Sequence, residues 1–183
     1  MKAYRQGGYS VRMLHYHTFR ISSALQSLGS MGDGAEGVSH VLLEAGPSGD
    51  NFSYEYENRY GVPIVYRDAI YYDNAMTLLL AALIAAKDLP DPTQVTGEQI
   101  RDALAKTSTP GGEIVRPGPD EFSRAAGLIL EGKPINYEGA SGPMDFDANG
   151  NILDRLAQYR ADSGKFVDVA RFDCVKDPSC PPM

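Results

Sequence analysis

Val11-Arg12-Met13-Leu14-His15-Tyr16-His17 is followed by apolar residues at Ile21, Ala24, Leu25 and Leu28 and then by Val38-Ser39-His40-Val41-Leu42-Leu43. The fold turns on this stretch. Its first segment is rich in β-formers, and the apolar residues after it have the period of an amphipathic helix. Gly29 stops that helix, Gly32-Asp33-Gly34 makes a turn, and Val38 to Leu43 reads as a second strand. Strand, helix and strand in this order form a β-α-β unit, whose two strands run parallel.

Outward from this unit, Gly46-Pro47-Ser48-Gly49-Asp50-Asn51 reads as a loop. Phe52, Tyr56 and Tyr60 then recur every four residues on one helical face before Gly61. Val62 to Arg67 is expected to be extended, because Pro63 restricts its predecessor and β-branched residues favour strands. Ile70 to Ala86 has a wide apolar face. Thr96 with Gln99 has the capping-box spacing and opens a helix over Gly97–Lys106, and a further helix is expected over Asp120–Glu131 between Pro119 and Gly132. Met144–Asp147, Leu156–Arg160 and Lys165–Phe172 read as strands, the last two joined as a hairpin at Asp162-Ser163-Gly164. The class expected is α/β, with mostly parallel sheets flanked by helices.

The 183 residues suffice for one domain or two small ones, and 43% hydrophobic with 22% charged residues is a globular composition. Seventeen Lys+Arg against 24 Asp+Glu give a net charge of −7 without a basic run, which argues against nucleic acid and against anionic membranes. The longest apolar stretch, Met76–Ala86, is shorter than the roughly twenty residues of a bilayer crossing. It reads as a buried helix, so no direct membrane insertion is expected. Met1 to Gly8 lacks the apolar centre of a signal peptide. Cys174 and Cys180 either close a small loop, which lowers unfolded-chain entropy by about 2 kcal/mol and suits an oxidising compartment, or remain two thiols.

Gly139-Ala140-Ser141-Gly142-Pro143-Met144-Asp145-Phe146-Asp147-Ala148-Asn149-Gly150, preceded by Leu130-Glu131-Gly132-Lys133-Pro134-Ile135-Asn136-Tyr137, resembles a block of the leucine/isoleucine/valine-binding family of type I periplasmic binding proteins, which feed ABC importers. Tyr72-Asp73-Asn74-Ala75, Gly97 to Leu104, Gly34 to Val38 and Phe52 to Gly61 follow the same pattern in the same order. The resemblance covers about Gly7 to Phe172 and is to the carboxy-terminal half of that family. It implies a two-lobed fold that is incomplete here: residues 1–59 as the end of lobe II, 60–142 as part of lobe I, and 143–183 as a return to lobe II with a hairpin and tail. The front half of the clamp is then absent. An uncovered apolar surface would drive self-association, and one wall of the cleft would have no measurable affinity for leucine or valine.

The function implied is solute binding for an ABC-type uptake system. The partners would be a small amino-acid-like ligand and a membrane permease, the parent's compartment would be periplasmic or extracytoplasmic, and neither cofactor nor catalysis is involved. Two alternatives stay open: a sensor domain on the same fold, and a small metal-dependent enzyme using His15 and His17. The strand carrying Leu14 to Thr18 would end at the ligand cleft, which makes Tyr16 and His17 candidate ligand contacts. The family places an acidic residue there against the ligand's amino group, and this stretch has none. An amide, a carboxylate or an aromatic compound therefore fits as well as an α-amino acid. Arg67 and Tyr71 would lie where the chain crosses between lobes. Arg67 could pair with an anionic ligand or form a surface salt bridge to Asp68 or Asp73, and the neighbouring tyrosines suit packing as well as contact.

His15 and His17 on one strand would face the same side, but a third metal ligand is not identifiable, and no metal site is expected. Asp145, Asp147, Asn149 and Gly150 imitate the start of a calcium loop, yet Leu156 stands where a bidentate Glu is required. No nucleophile elbow, phosphate loop or dinucleotide motif is present.

Overall fold

Strand β1 (Leu14–His15) lies parallel to β2 (Glu36–His40), with Leu14 opposite Glu36 and His15 opposite Gly37. Helix α1 (Ser22–Leu28) crosses between them and ends at Gly29, whose φ of 55° no β-carbon residue adopts easily. The computed structural model describes residues 3, 6–9, 12, 14–40, 46–64, 66–175, 177, 179 and 180. Val11, Met13 and residues 41–43, at the outer ends of the two expected strands, lie outside them. Strand β1 is shorter than its β-rich sequence suggests because His17–Phe19 turns into a 3-10 helix.

Two further helices come next. Helix α2 (Gly46–Tyr60) begins where a loop is expected, since Pro47 is tolerated in a first helical turn. Helix α3 (Tyr66–Ala86) includes Tyr66 and Arg67, which the sequence suggests are extended, and Asp68 in its first turn complements the helix dipole. Helix α4 (Gly97–Ala103) has the expected capping box: Thr96 accepts from the Gln99 N–H, and the Gln99 side chain accepts from the Thr96 N–H. Strands β3 (Glu113–Val115) and β4 (Ile135–Tyr137) pair in parallel around helix α5 (Pro119–Leu130), a second β-α-β unit. Strands of three residues are too short for a period-2 pattern to stand out.

Strand β5 (Arg155–Asp162) and β6 (Lys165–Asp173) form the expected antiparallel hairpin. The sheet order is β1-β2-β5-β6, with β5 antiparallel to β2. Met144–Asp147 is not a ladder strand. Met144 is buried in a core, Phe146 makes an isolated bridge to Ile152, and Asp147 accepts the N–H groups of Asn149 and Asn151, each at 2.8 Å. That carboxylate closes a turn on its own backbone.

Two compact units result: residues 1–41 with 154–183, and residues 42–153. The first packs Leu25, Ala35 and Ala161 with Phe19 and Phe166. The second packs Met76, Leu80, Val115, Ala125, Ile129, Ile135, Tyr137 and Met144, with Ile152 against them. These bounds differ from the segment ends at 59/60 and 142/143. Helix α2 groups with the second unit, where its Phe52 ring lies 4.6 Å from that of Tyr72. Residues 143–153 do so because Met144 and Ile152 join that core. Arg67–Ala86 is by length and composition apolar enough to cross a membrane. Its Ala69, Asp73, Met76, Thr77, Leu80 and Ala81 are nonetheless buried in the second unit.

Candidate functional site

The first unit's register gathers polar side chains at one end of its sheet. Tyr16 follows the carboxyl end of β1, and His40 is the last residue of β2. Because β5 runs antiparallel with Leu156 opposite His40, its approach places Asp154 just beyond the same end. Three residues from distant parts of the chain thus meet outside the carboxyl ends of the parallel strands, where open α/β sheets bind ligands.

They form a continuous chain of hydrogen bonds. The Asp154 carboxylate lies 2.6 Å from His40 Nδ1, and His40 Nε2 lies 2.6 Å from the Tyr16 hydroxyl. In the tautomer with the proton on Nδ1, His40 donates to the Asp154 carboxylate and its Nε2 accepts from the Tyr16 O–H. The phenol oxygen then keeps its lone pairs for an incoming donor. His17 completes the cluster, with its ring 4.3 Å from that of Tyr16 and 5.7 Å from that of His40. Tyr16 is 55% exposed, whereas the His40 and Asp154 side chains are 22% and 27% exposed. The inner members orient an outer one that faces solvent.

The support is close-packed. The Tyr159 hydroxyl donates to the Tyr16 carbonyl at 3.2 Å, and the Arg20 guanidinium sits 5.4 Å from the Tyr159 ring centroid. Arg20 also donates to Ser39 at 2.8 Å and pairs with Asp168 at 2.5 Å. A β-carbon on Gly37 would run into the His15 carbonyl and the Tyr159 phenol, so only glycine fits beneath the site. Neither His40 nor Asp154 was singled out from the sequence. His40 read as mid-strand and Asp154 lay outside every assigned element, and the usable signal was the strand-end rule of α/β sheets.

Tyr16 and His17 therefore meet, but His15 and His17 do not share a strand face. The strand ends at His15, and His17 opens a 3-10 turn, so alternation does not apply. The His15 ring stacks on Phe19 at 4.1 Å, and burial lowers its pKa. Among the described residues no group of three His, Cys, Asp or Glu side chains could hold a metal ion. Arg67 and Tyr71 belong to the second unit, one turn apart on α3 and both exposed. The sulfurs of Cys174 and Cys180 are joined, with Cα atoms 4.4 Å apart.

Asp73, offered by the sequence as a surface partner for Arg67, is fully buried. Its Oδ1 accepts from the Tyr137 hydroxyl and the Ala140 N–H, both at 2.8 Å. Its Oδ2 accepts from the Ser141 N–H at 2.7 Å and the Ser141 hydroxyl at 2.6 Å. Burial pushes the Asp73 carboxyl above its ordinary range while these donors pull it down. The pairing pins the Gly139–Gly142 turn to α3, and a β-carbon on Gly139 would lie 2.6 Å from the carboxylate.

No protein-family model matches the chain, and no curated protein matches it. Among solved structures it is similar to the leucine binding protein LivK of Thermotoga maritima. The TM-score is 0.58 at 20% identity, over 93% of this chain and 39% of that one. It is also similar to the branched-chain amino acid transporter substrate binding protein LivJ of Streptococcus pneumoniae, solved in complex with isoleucine. There the TM-score is 0.51 at 18% identity, over 90% of this chain and 38% of that one. At these identities the likeness is one of fold. The chain has the α/β fold of type I periplasmic binding proteins and spans about two-fifths of the length of the solved structures it matches.

Proposed function

We propose that the chain is part of a solute-binding module of an ABC-type uptake system, taking branched-chain amino acids or similar small polar ligands. The observation that carries this reading is the Tyr16–His40–Asp154 chain at the carboxyl end of β1 and β2. A fold shared with the leucine and isoleucine binding proteins named above supports it. Tyr16 and His17 are ligand contacts of the first unit, and Arg67 and Tyr71 on α3 are candidate contacts of the second, each taken by itself. Binding closes the whole protein's two lobes on the ligand, and a membrane permease reads the closed state. The site works by binding rather than by catalysis and uses no cofactor. Its compartment is extracytoplasmic, where a Cys174–Cys180 disulfide persists.

The Asp154 carboxylate changes the ligand argument. Leu14–Thr18 carries no acid, but the fold brings one within two hydrogen bonds of Tyr16, so a ligand ammonium meets a site with negative charge behind it. The test is a titration of the chain with leucine, isoleucine and valine, read on the His17 and His40 imidazole resonances. In place of the sequence's expectation of no measurable affinity, the acid behind Tyr16 leads us to expect weak binding: saturable shifts at millimolar ligand, without micromolar affinity for leucine or valine. Tyr16→Phe should weaken binding by about threefold to tenfold, the value of one hydrogen bond. Imidazole resonances that stay fixed for all three amino acids would overturn the reading.

The exposed apolar side chains of Leu78, Leu79 and Leu130 are proposed to drive self-association of the chain.

A further inference from the structure

The second unit contains a pocket of about 580 Å³, within the range that holds small organic ligands. Three elements build it. Helix α2 contributes Phe52, Tyr56 and Tyr60, spaced four apart, with ring centroids 6.0 Å apart from Phe52 to Tyr56 and 4.7 Å from Tyr56 to Tyr60. Helix α3 adds Tyr72, whose ring is 4.6 Å from Phe52 and whose hydroxyl accepts the Gly118 N–H at 2.8 Å. The remaining wall is the start of α5.

The charges around these rings are one-sided. Among the described residues that line the pocket, Glu55, Asp68, Asp120 and Glu121 stand against one cation, Arg59. Two of the four carboxylates are already engaged. Asp68 is hydrogen-bonded to the Tyr56 hydroxyl, and Glu121 accepts from Arg124 at 2.8 Å and 3.0 Å and from the Arg116 N–H. Among the described residues, Glu55 and Asp120 make no ion pair. Arg59 itself sits 5.6 Å from the Tyr60 ring centroid, the geometry of a cation over an aromatic face. The pocket wall thus already holds a cation of its own chain against one ring, while Glu55 and Asp120 are exposed and outside any ion pair among the described residues.

We propose that this pocket binds a small organic cation, an alkylammonium or quaternary ammonium ion, with its apolar groups against Phe52, Tyr56 and Tyr72 and its charge compensated by Glu55 and Asp120. Aromatic faces attract a cation through the ring quadrupole, and they do so best for a weakly hydrated one. This separates an ammonium bearing alkyl groups from a metal ion, for which these rings supply no ligands. The site is distinct from the Tyr16–His40–Asp154 chain, which belongs to the other unit.

The test uses the intact chain with choline and its neutral isostere 3,3-dimethylbutan-1-ol, following the ring resonances of Phe52, Tyr56 and Tyr72 together with those of His40. Choline should shift the three rings saturably and leave His40 in place, and the alcohol should bind about tenfold more weakly. Added salt should weaken choline and spare the alcohol, because the carboxylates are near the surface. Glu55→Gln with Asp120→Asn, both exposed, should weaken choline severalfold without altering the alcohol, and Arg59→Gln should strengthen it by removing the internal competitor. Equal binding of choline and the alcohol, an unchanged affinity in the double variant, or ring resonances that never move would each overturn the proposal.

Discussion

Replacing Asp73 by Asn keeps the side-chain shape but substitutes a donor for one acceptor. Whichever way the amide is turned, its NH2 faces a backbone N–H, that of Ala140 or that of Ser141. Asp73→Asn should therefore cost about 2 kcal/mol in urea unfolding, the desolvation penalty of a buried donor left without its acceptor. The pH dependence has a definite sign. The folded state holds the Asp73 proton more tightly than the unfolded chain does, because burial raises its pKa. Stability from this group is therefore greatest in acid and falls as pH rises from about 4 through the folded pKa. Unfolding curves from pH 4 to pH 7 should show this slope in the parent and a shallower one in Asp73→Asn, where burial of the Glu138 carboxyl still contributes in the same direction. At Gly37 the added methyl of Gly37→Ala meets the His15 carbonyl in a fixed parallel pair, and a loss of roughly 1–3 kcal/mol is expected. The sequence showed which residue types carry chemistry at Tyr16 and His17. It could not show that His40 and Asp154, 114 positions apart, complete the set.

Elements with strong local signals were legible. The Thr96–Gln99 capping box and the hairpin turn at Ser163-Gly164 depend on residues a few positions apart, so the sequence states them nearly in full. Thr96→Ala should lower stability by about 1 kcal/mol through loss of the cap, measured by thermal unfolding of the chain. Reduction of the Cys174–Cys180 disulfide, or Cys180→Ser, should cost about 2 kcal/mol, because the small loop it closes is restored to the unfolded ensemble. Elements set by pairing were harder to read. Strands β3 and β4 have three residues each, and they are strands because each is the other's hydrogen-bond partner around α5. Helix α2 began earlier than its aromatic stripe suggested, since Gly46 and Pro47 are compatible with a first turn as well as with a loop.

For the whole molecule, the apolar surface of α3 sets the expected behaviour in solution. Leu78 and Leu79 are each 54% exposed, and Leu130 on α5 is 66% exposed. Sedimentation velocity over a concentration series should show self-association, and Leu78→Gln with Leu79→Gln should reduce it; a monomer at every concentration would contradict the expectation. The α/β class, the presence of the long helices though not where α2 and α3 begin, and the absence of a basic run followed from period, punctuation and charge, which are properties of neighbouring residues. Three things were decided by tertiary structure. The first is the antiparallel run of β5 that carries Asp154 to His40, and the second is the burial of Asp73 under the Gly139–Gly142 turn. The third is the grouping of α2 and residues 143–153 with the second unit. Each depends on which distant segments pair or pack. That choice is made by summed burial and hydrogen bonding across the fold, which no local pattern encodes.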